Sequence, residues 1–204
     1  CVSNADFARF VQADGYGDPQ YWPEEVLPNV LQFVDSTNHP GPRHWCNGNP
    51  PADKLDHPVV GVCWYEANAY ARFKRKQLPT LHHWGVAASI QLARSIVPLS
   101  NYSGKGPAVV GSYGGISRFG AYDMAGNVME WCWNAIRDDR RCVVGGAWSD
   151  RPYMFVETEA FLPFERPPTL GFRCADYPMA PPKGAFSDVH LITPRPFDSE
   201  TPAT

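Results

Sequence analysis

Three observations predict an α+β fold with few helices and short strands. Apolar residues recur at helical spacing in only three windows, all in the first half of the chain. Beyond them, Gly and Pro cut the chain into short segments that read as turns and strands. Seven Trp, nine Tyr and eleven Phe stand against 21 Pro and 17 Gly. That balance suits an irregular core filled by rings rather than by long regular elements.

The first window opens at Ser3, with Asp6 three residues on and Phe7, Phe10 and Val11 after it. This is the spacing of a capped amphipathic helix ending near Gly15. From Tyr21 to Pro58 the chain carries seven prolines and few periodic runs, so an ordered but irregular excursion is predicted, of the kind on which function often sits. Pro58 to Cys63 reads as a short buried strand, and Ala67, Tyr70, Ala71 and Phe73 as the apolar side of the helix after it. Cys63 stands three residues before Glu66, where a capping box has Ser or Thr; the missing oxygen should cost that helix about 1 kcal/mol. Thr80 caps a third helix predicted to run to about Leu92. Residues 177–204 are rich in proline, lack a core pattern and read as a linker or surface-wrapping tail behind a domain of residues 1–176.

Composition excludes several classes. A formal charge of -3 and the lack of basic runs interleaved with rings argue against nucleic acid. No apolar stretch approaches the roughly 20 residues of a membrane span. With 204 residues and 44% hydrophobic content, one core is the expectation. Six cysteines are scattered without paired short spacing, which points to packed free thiols and a reducing, cytoplasmic location rather than a disulfide framework.

Chemistry concentrates between Asp123 and Arg173. The turn Tyr122-Asp123-Met124-Ala125-Gly126-Asn127-Val128-Met129-Glu130-Trp131 is followed by Gly145-Gly146-Ala147-Trp148 and closed by Gly171-Phe172-Arg173-Cys174. Two carboxylates and several carbonyls within the turn suit a hard cation such as calcium; equally, Asp123 and Glu130 could serve to satisfy backbone N–H groups in a tight buried turn. The ring-rich segment after Ala147, with Trp148, Asp150, Tyr153, Phe155 and Arg166, has the residue types of a recognition surface, though any one of these rings also suits the core.

The three blocks, in this order, resemble the formylglycine-generating enzyme family, also called the sulfatase-modifying-factor family. Val2 to Phe10, Pro58 to Ala67 and Leu78-Pro79-Thr80 match further blocks of it, so the resemblance covers about Val2 to Ala175. It implies a C-type-lectin-like fold whose first strand is expected to lie ahead of Cys1. In catalytic members two cysteines five residues apart follow the double glycine and hold copper. Those positions are Asp150 and Phe155 here, and the family's Ser after the double glycine and first Trp of the WEW block are Ala147 and Met129. Copper is therefore not expected. The resemblance places a structural calcium on Asp123, Gly126, Val128 and Glu130, and leaves Cys174 without its disulfide partner, whose position is Ala71.

Wording such as Tyr21-Trp22-Pro23 and Trp131-Cys132-Trp133-Asn134 is similar to family domains attached to bacterial serine/threonine kinases. The expectation is a non-catalytic module of a larger multidomain bacterial protein, binding a ligand or peptide through Trp148, Asp150, Tyr153, Phe155 and Arg166. Alternative readings are a divergent metal-dependent oxidoreductase using a different centre in the same cleft, although the spacing of Asp150 with His44, His82 or His83 gives a shared metal no support, and a hypervariable lectin-like binding protein.

Overall fold

The computed structural model describes residues 1–136, 139–179, 181–182 and 184–189. Its centre is strand β1, Met129–Ala135, which is buried on both faces for most of its length. β2 (Arg141–Val144) pairs with it antiparallel, β3 (Thr158–Phe161) pairs antiparallel with β2, and β4 (Leu170–Phe172) runs parallel to β1 on the other side, giving the order β3-β2-β1-β4. Alternation along β1 sorts its side chains between two layers. Met129 and Trp131 join a core shared with α1 (Asn4–Gln12) and α3 (Trp64–Phe73). Cys132 joins a second core with Trp84 and Ala88 of α4 (Leu81–Ala88) and Ile96 of α5 (Ala93–Ile96). The sheet thus lies between two helical layers, an irregular α+β architecture.

The helix starts follow the capping chemistry. Ser3 Oγ accepts the Asp6 N–H at 3.1 Å and opens α1. Phe7 and Phe10, both fully buried, then lie over Tyr70, with Phe7 stacked on it at 5.3 Å between centroids. Each such ring contributes about 1.5–3 kcal/mol by burial. At Cys63 only the Glu66 half of the capping box is clear: the Glu66 carboxylate accepts the Cys63 N–H at 2.7 Å.

Thr80 caps α4 through the His83 N–H at 3.2 Å, but the helix does not reach Leu92. Ser89 adopts a left-handed φ of 55°, ends α4 at Ala88, and re-aims the chain through a short 3-10 turn into α5. The strand predicted at Pro58 to Cys63 is an extended segment that pairs through a single bridge, Ser3 to Pro58. It is nonetheless tied to the sheet, since Val59 N–H donates to Val2 and Val2 N–H donates to Phe172. The proline-rich excursion contains short helical turns, among them α2 (Leu27–Val30).

The described part of the tail lies against the domain. Asn134 donates to the Ala185 and Ser187 carbonyls, Val189 N–H donates to Ala135, and the Phe186 ring meets Trp133 edge-on at 5.4 Å. The remainder of the tail, 190–204, is outside the described residues. Among the described residues no helix is long and apolar enough to cross a membrane.

Candidate functional site

Glu130, on β1 and fully buried, is the best-partnered carboxylate of the molecule's centre. Arg173 donates to both of its oxygens, at 2.6 Å from Nε and 2.8 Å from Nη2; Trp84 Nε1 adds 2.7 Å and the Cys1 thiol 3.0 Å. An ionised carboxylate has about four lone-pair positions, and four donors take them. Burial opposes the charge of Glu130, but the Arg173 guanidinium, the nearby terminal ammonium and the hydrogen bonds from Arg173 and Trp84 together hold this carboxyl below its usual range. Arg173 also donates to the Tyr122 and Asp123 carbonyls. Asp123 accepts the Gly111 N–H at 2.8 Å, and burial pushes its carboxyl up.

This donor set does not fit the calcium expected on Asp123, Gly126, Val128 and Glu130. A cation would have to displace a guanidinium from Glu130, which already supplies the positive charge. Among the described residues no group of three or more His, Cys, Asp and Glu side chains converges as a metal centre.

The turn has another task. Gly126 has φ 69°, and a Cβ there would sit 2.4 Å from the Asn101 carbonyl oxygen, so only glycine allows the approach. That contact lets Asn127 bind the loop after Asn101: its N–H donates to the Asn101 carbonyl, and its side-chain oxygen accepts the Ala108 N–H at 2.8 Å. The Asn127 carbonyl then accepts the Trp148 N–H at 2.9 Å, and Gly104 N–H donates to the Trp148 carbonyl at 2.9 Å. Trp148 is pinned from both sides.

The five residues predicted to share one cleft are distributed over different parts of the surface and core. Asp150 folds back on its own turn, accepting the Ala147 N–H at 2.7 Å. Phe155 is buried against Trp84 in the second core. Tyr153 is exposed and borders a shallow apolar depression beside α5. Arg166 is held inside by two 2.9 Å contacts to the buried Glu66 carboxylate and by the Val34 and Gly41 carbonyls. Trp148 alone among them lines a cavity of about 270 Å³.

The other walls of that cavity come from the proline-rich excursion and the loops around it: His44, Trp45, His57, Pro58, Pro107 and Pro168. Two polar atoms among these residues are buried without a partner, Trp148 Nε1 and His57 Nδ1. Trp45 contrasts with them, because its Nε1 donates to Asn4 at 3.0 Å. Burial and the nearby Arg43 and Arg166 charges hold His44 below its ordinary value, so it is neutral at pH 7. Motif reading does not assign these residues to a binding wall: His44 enters it only as a candidate metal ligand and Pro58 only as the start of a strand. For Trp45 and His57 the signal is the run of prolines between Tyr21 and Pro58, and for Pro107 and Pro168 there is none.

Burial pushes Cys132 well above its usual range and Cys142 and Cys174 to about 12. All six cysteines are free, and Ala71, at the position the resemblance gives for the disulfide partner that Cys174 lacks, lies buried on α3.

The chain is 30% identical over 161 residues to the inactive C-alpha-formylglycine-generating enzyme 2 of Bos taurus, and 43% identical over 143 residues to the serine/threonine-protein kinase pkn1 of Chlamydia pneumoniae, each match covering 64% of this chain. It spans only 54% of the bovine protein and 21% of the chlamydial one. The solved structure of CarF shares the fold, with a TM-score of 0.57 at 18% identity over 85% of this chain and 82% of that one. Residues 1–177 match the profile of the sulfatase-modifying factor enzyme 1-like domain, and the chain belongs to that family.

Proposed function

We propose that this domain is a non-catalytic binding module of a larger protein, and that it takes an apolar peptide segment in the Trp148 cavity. The observation that carries the reading is the buried, unpaired indole N–H of Trp148 in a cavity walled by rings and prolines. Leaving such a donor unsatisfied costs about 1–3 kcal/mol. A backbone carbonyl of a bound peptide would recover that energy, while an apolar side chain beside it would fill the space against Trp45, Pro58 and Pro168. His57 Nδ1 offers the same peptide a second polar contact.

The non-catalytic part of the reading rests on residue chemistry. Asp150 and Phe155 offer no sulfur where the family's enzymes hold copper, and the nearby cysteines are protonated thiols at neutral pH. The similarity to a kinase supports placing the module in a multidomain polypeptide, where it would present a partner segment to a neighbouring domain. Calorimetric titration with acetyl-Leu-Pro-amide tests the site. Saturable binding that is lost in Trp148→Phe is expected; equal binding by wild type and Trp148→Phe would refute the assignment.

A further inference from the structure

A second and larger cavity, about 810 Å³, opens at the C-terminal end of α3 and shares no residue with the Trp148 cavity. Asn68 and Arg72 stand one turn apart on α3 and line it; Arg75, past the helix end with a left-handed φ of 55°, Lys76, Trp133 and Phe186 complete its principal walls. Among the described residues its lining includes no Asp or Glu. Among the described residues none of the three cations forms a salt bridge; Arg72 makes one long contact, 3.4 Å, to the Tyr21 carbonyl.

Cations at a helix C-terminus have a plain structural use, since they complement the helix dipole. Two features exceed that use. Asn68 is 2% exposed and its side-chain Nδ2 has no hydrogen-bond partner, although it lines an open cavity. A buried amide N–H is left unpaired only at a cost of about 1–3 kcal/mol, so a missing acceptor is indicated. In addition, the Trp133 and Phe186 rings stand edge-to-face at an interplanar angle of 81°, forming an apolar wall beside the charges.

We infer that this cavity binds an oxyanion carried on a flat apolar body, such as an aryl phosphate or an aryl carboxylate. Arg72, Arg75 and Lys76 supply the positive field, and Asn68 Nδ2 donates to one anionic oxygen. The ring system lies against Trp133 and Phe186. Binding is non-covalent, and its strength falls as salt rises, because the cations are exposed and screened. The site is independent of the peptide reading above.

The test is a titration of the 15N-labelled protein with phenyl phosphate, benzoate and inorganic phosphate. At least one aryl anion should shift the Asn68 side-chain amide and the Trp133 indole resonances saturably, with an affinity at least tenfold above that of inorganic phosphate. The tighter of the two aryl probes then identifies the anion as phosphate or carboxylate. The exposed double variant Arg75→Glu/Lys76→Glu should lose tenfold or more of that affinity while binding acetyl-Leu-Pro-amide as the wild type does. The inference fails if neither aryl anion moves the Asn68 resonances, if inorganic phosphate binds as tightly as both, or if charge reversal leaves the affinity unchanged.

Discussion

The turn at Glu130 and the cavity at Trp148 meet at Asn127, three residues before Glu130 and acceptor of the Trp148 N–H, yet their polar groups are treated in opposite ways. At Glu130 four donors meet four lone pairs, and an arginine provides the counter-charge. At Trp148 the backbone is fixed through Asn127 and Gly104, while the indole N–H is left without an acceptor. A fully paired buried group has no capacity for a ligand, whereas an unpaired one on a cavity wall does. The motif that names the family is therefore structural here, and the groups free to bind lie beside it.

The sharpest way to break this contrast is Glu130→Ala, which strands Arg173 and Trp84 Nε1 in the interior. A loss of about 3–5 kcal/mol is expected from urea unfolding. A loss below about 1 kcal/mol would mean that the turn is not sealed as described. A smaller effect is expected from pH. The folded-state carboxyl of Glu130 is lowered, so its contribution is present above the ordinary carboxylate range and is lost as pH falls through the folded value. Glu66 is shifted the other way, burial raising it despite Arg166. Its contribution is complete below the unfolded value and declines as pH rises through the folded one. Glu130→Gln should flatten the acid limb of stability against pH, and Glu66→Gln the opposite limb; measuring unfolding midpoints across that range checks both signs.

Trp148→Phe should change stability by only about 1 kcal/mol, since it removes a donor that has no partner. Smallest of all, calcium and EDTA should leave the melting temperature unchanged. A site filled at 100 times its Kd would add about 2.7 kcal/mol, so a calcium-dependent rise in melting temperature would show that the cation does displace Arg173.

Local signals made the frame legible from sequence. Ser3 with Asp6, and Thr80, each act within a few residues, and each did what its chemistry required. The break at Ser89 was not legible, because neither glycine nor proline marks it and its left-handed backbone is set by tertiary packing. The site was less legible than the frame. Arg166 reads as a surface anchor until Glu66, one hundred positions away, is found beside it. Phe155 reads the same as a ligand-facing ring or a core ring until Trp84 covers it. Asn68 gave no signal, since a mid-helix asparagine shows its missing partner only once the interior is built.

The most direct test follows the Trp148 indole N–H resonance in the 15N-labelled protein as acetyl-Leu-Pro-amide is added. A saturable shift of that resonance, with the Trp84 indole, held by Glu130 outside the cavity, unmoved, is the expected result. An unmoved Trp148 signal at saturating peptide, or a shift confined to other indoles, would contradict the assignment of this cavity as the binding site.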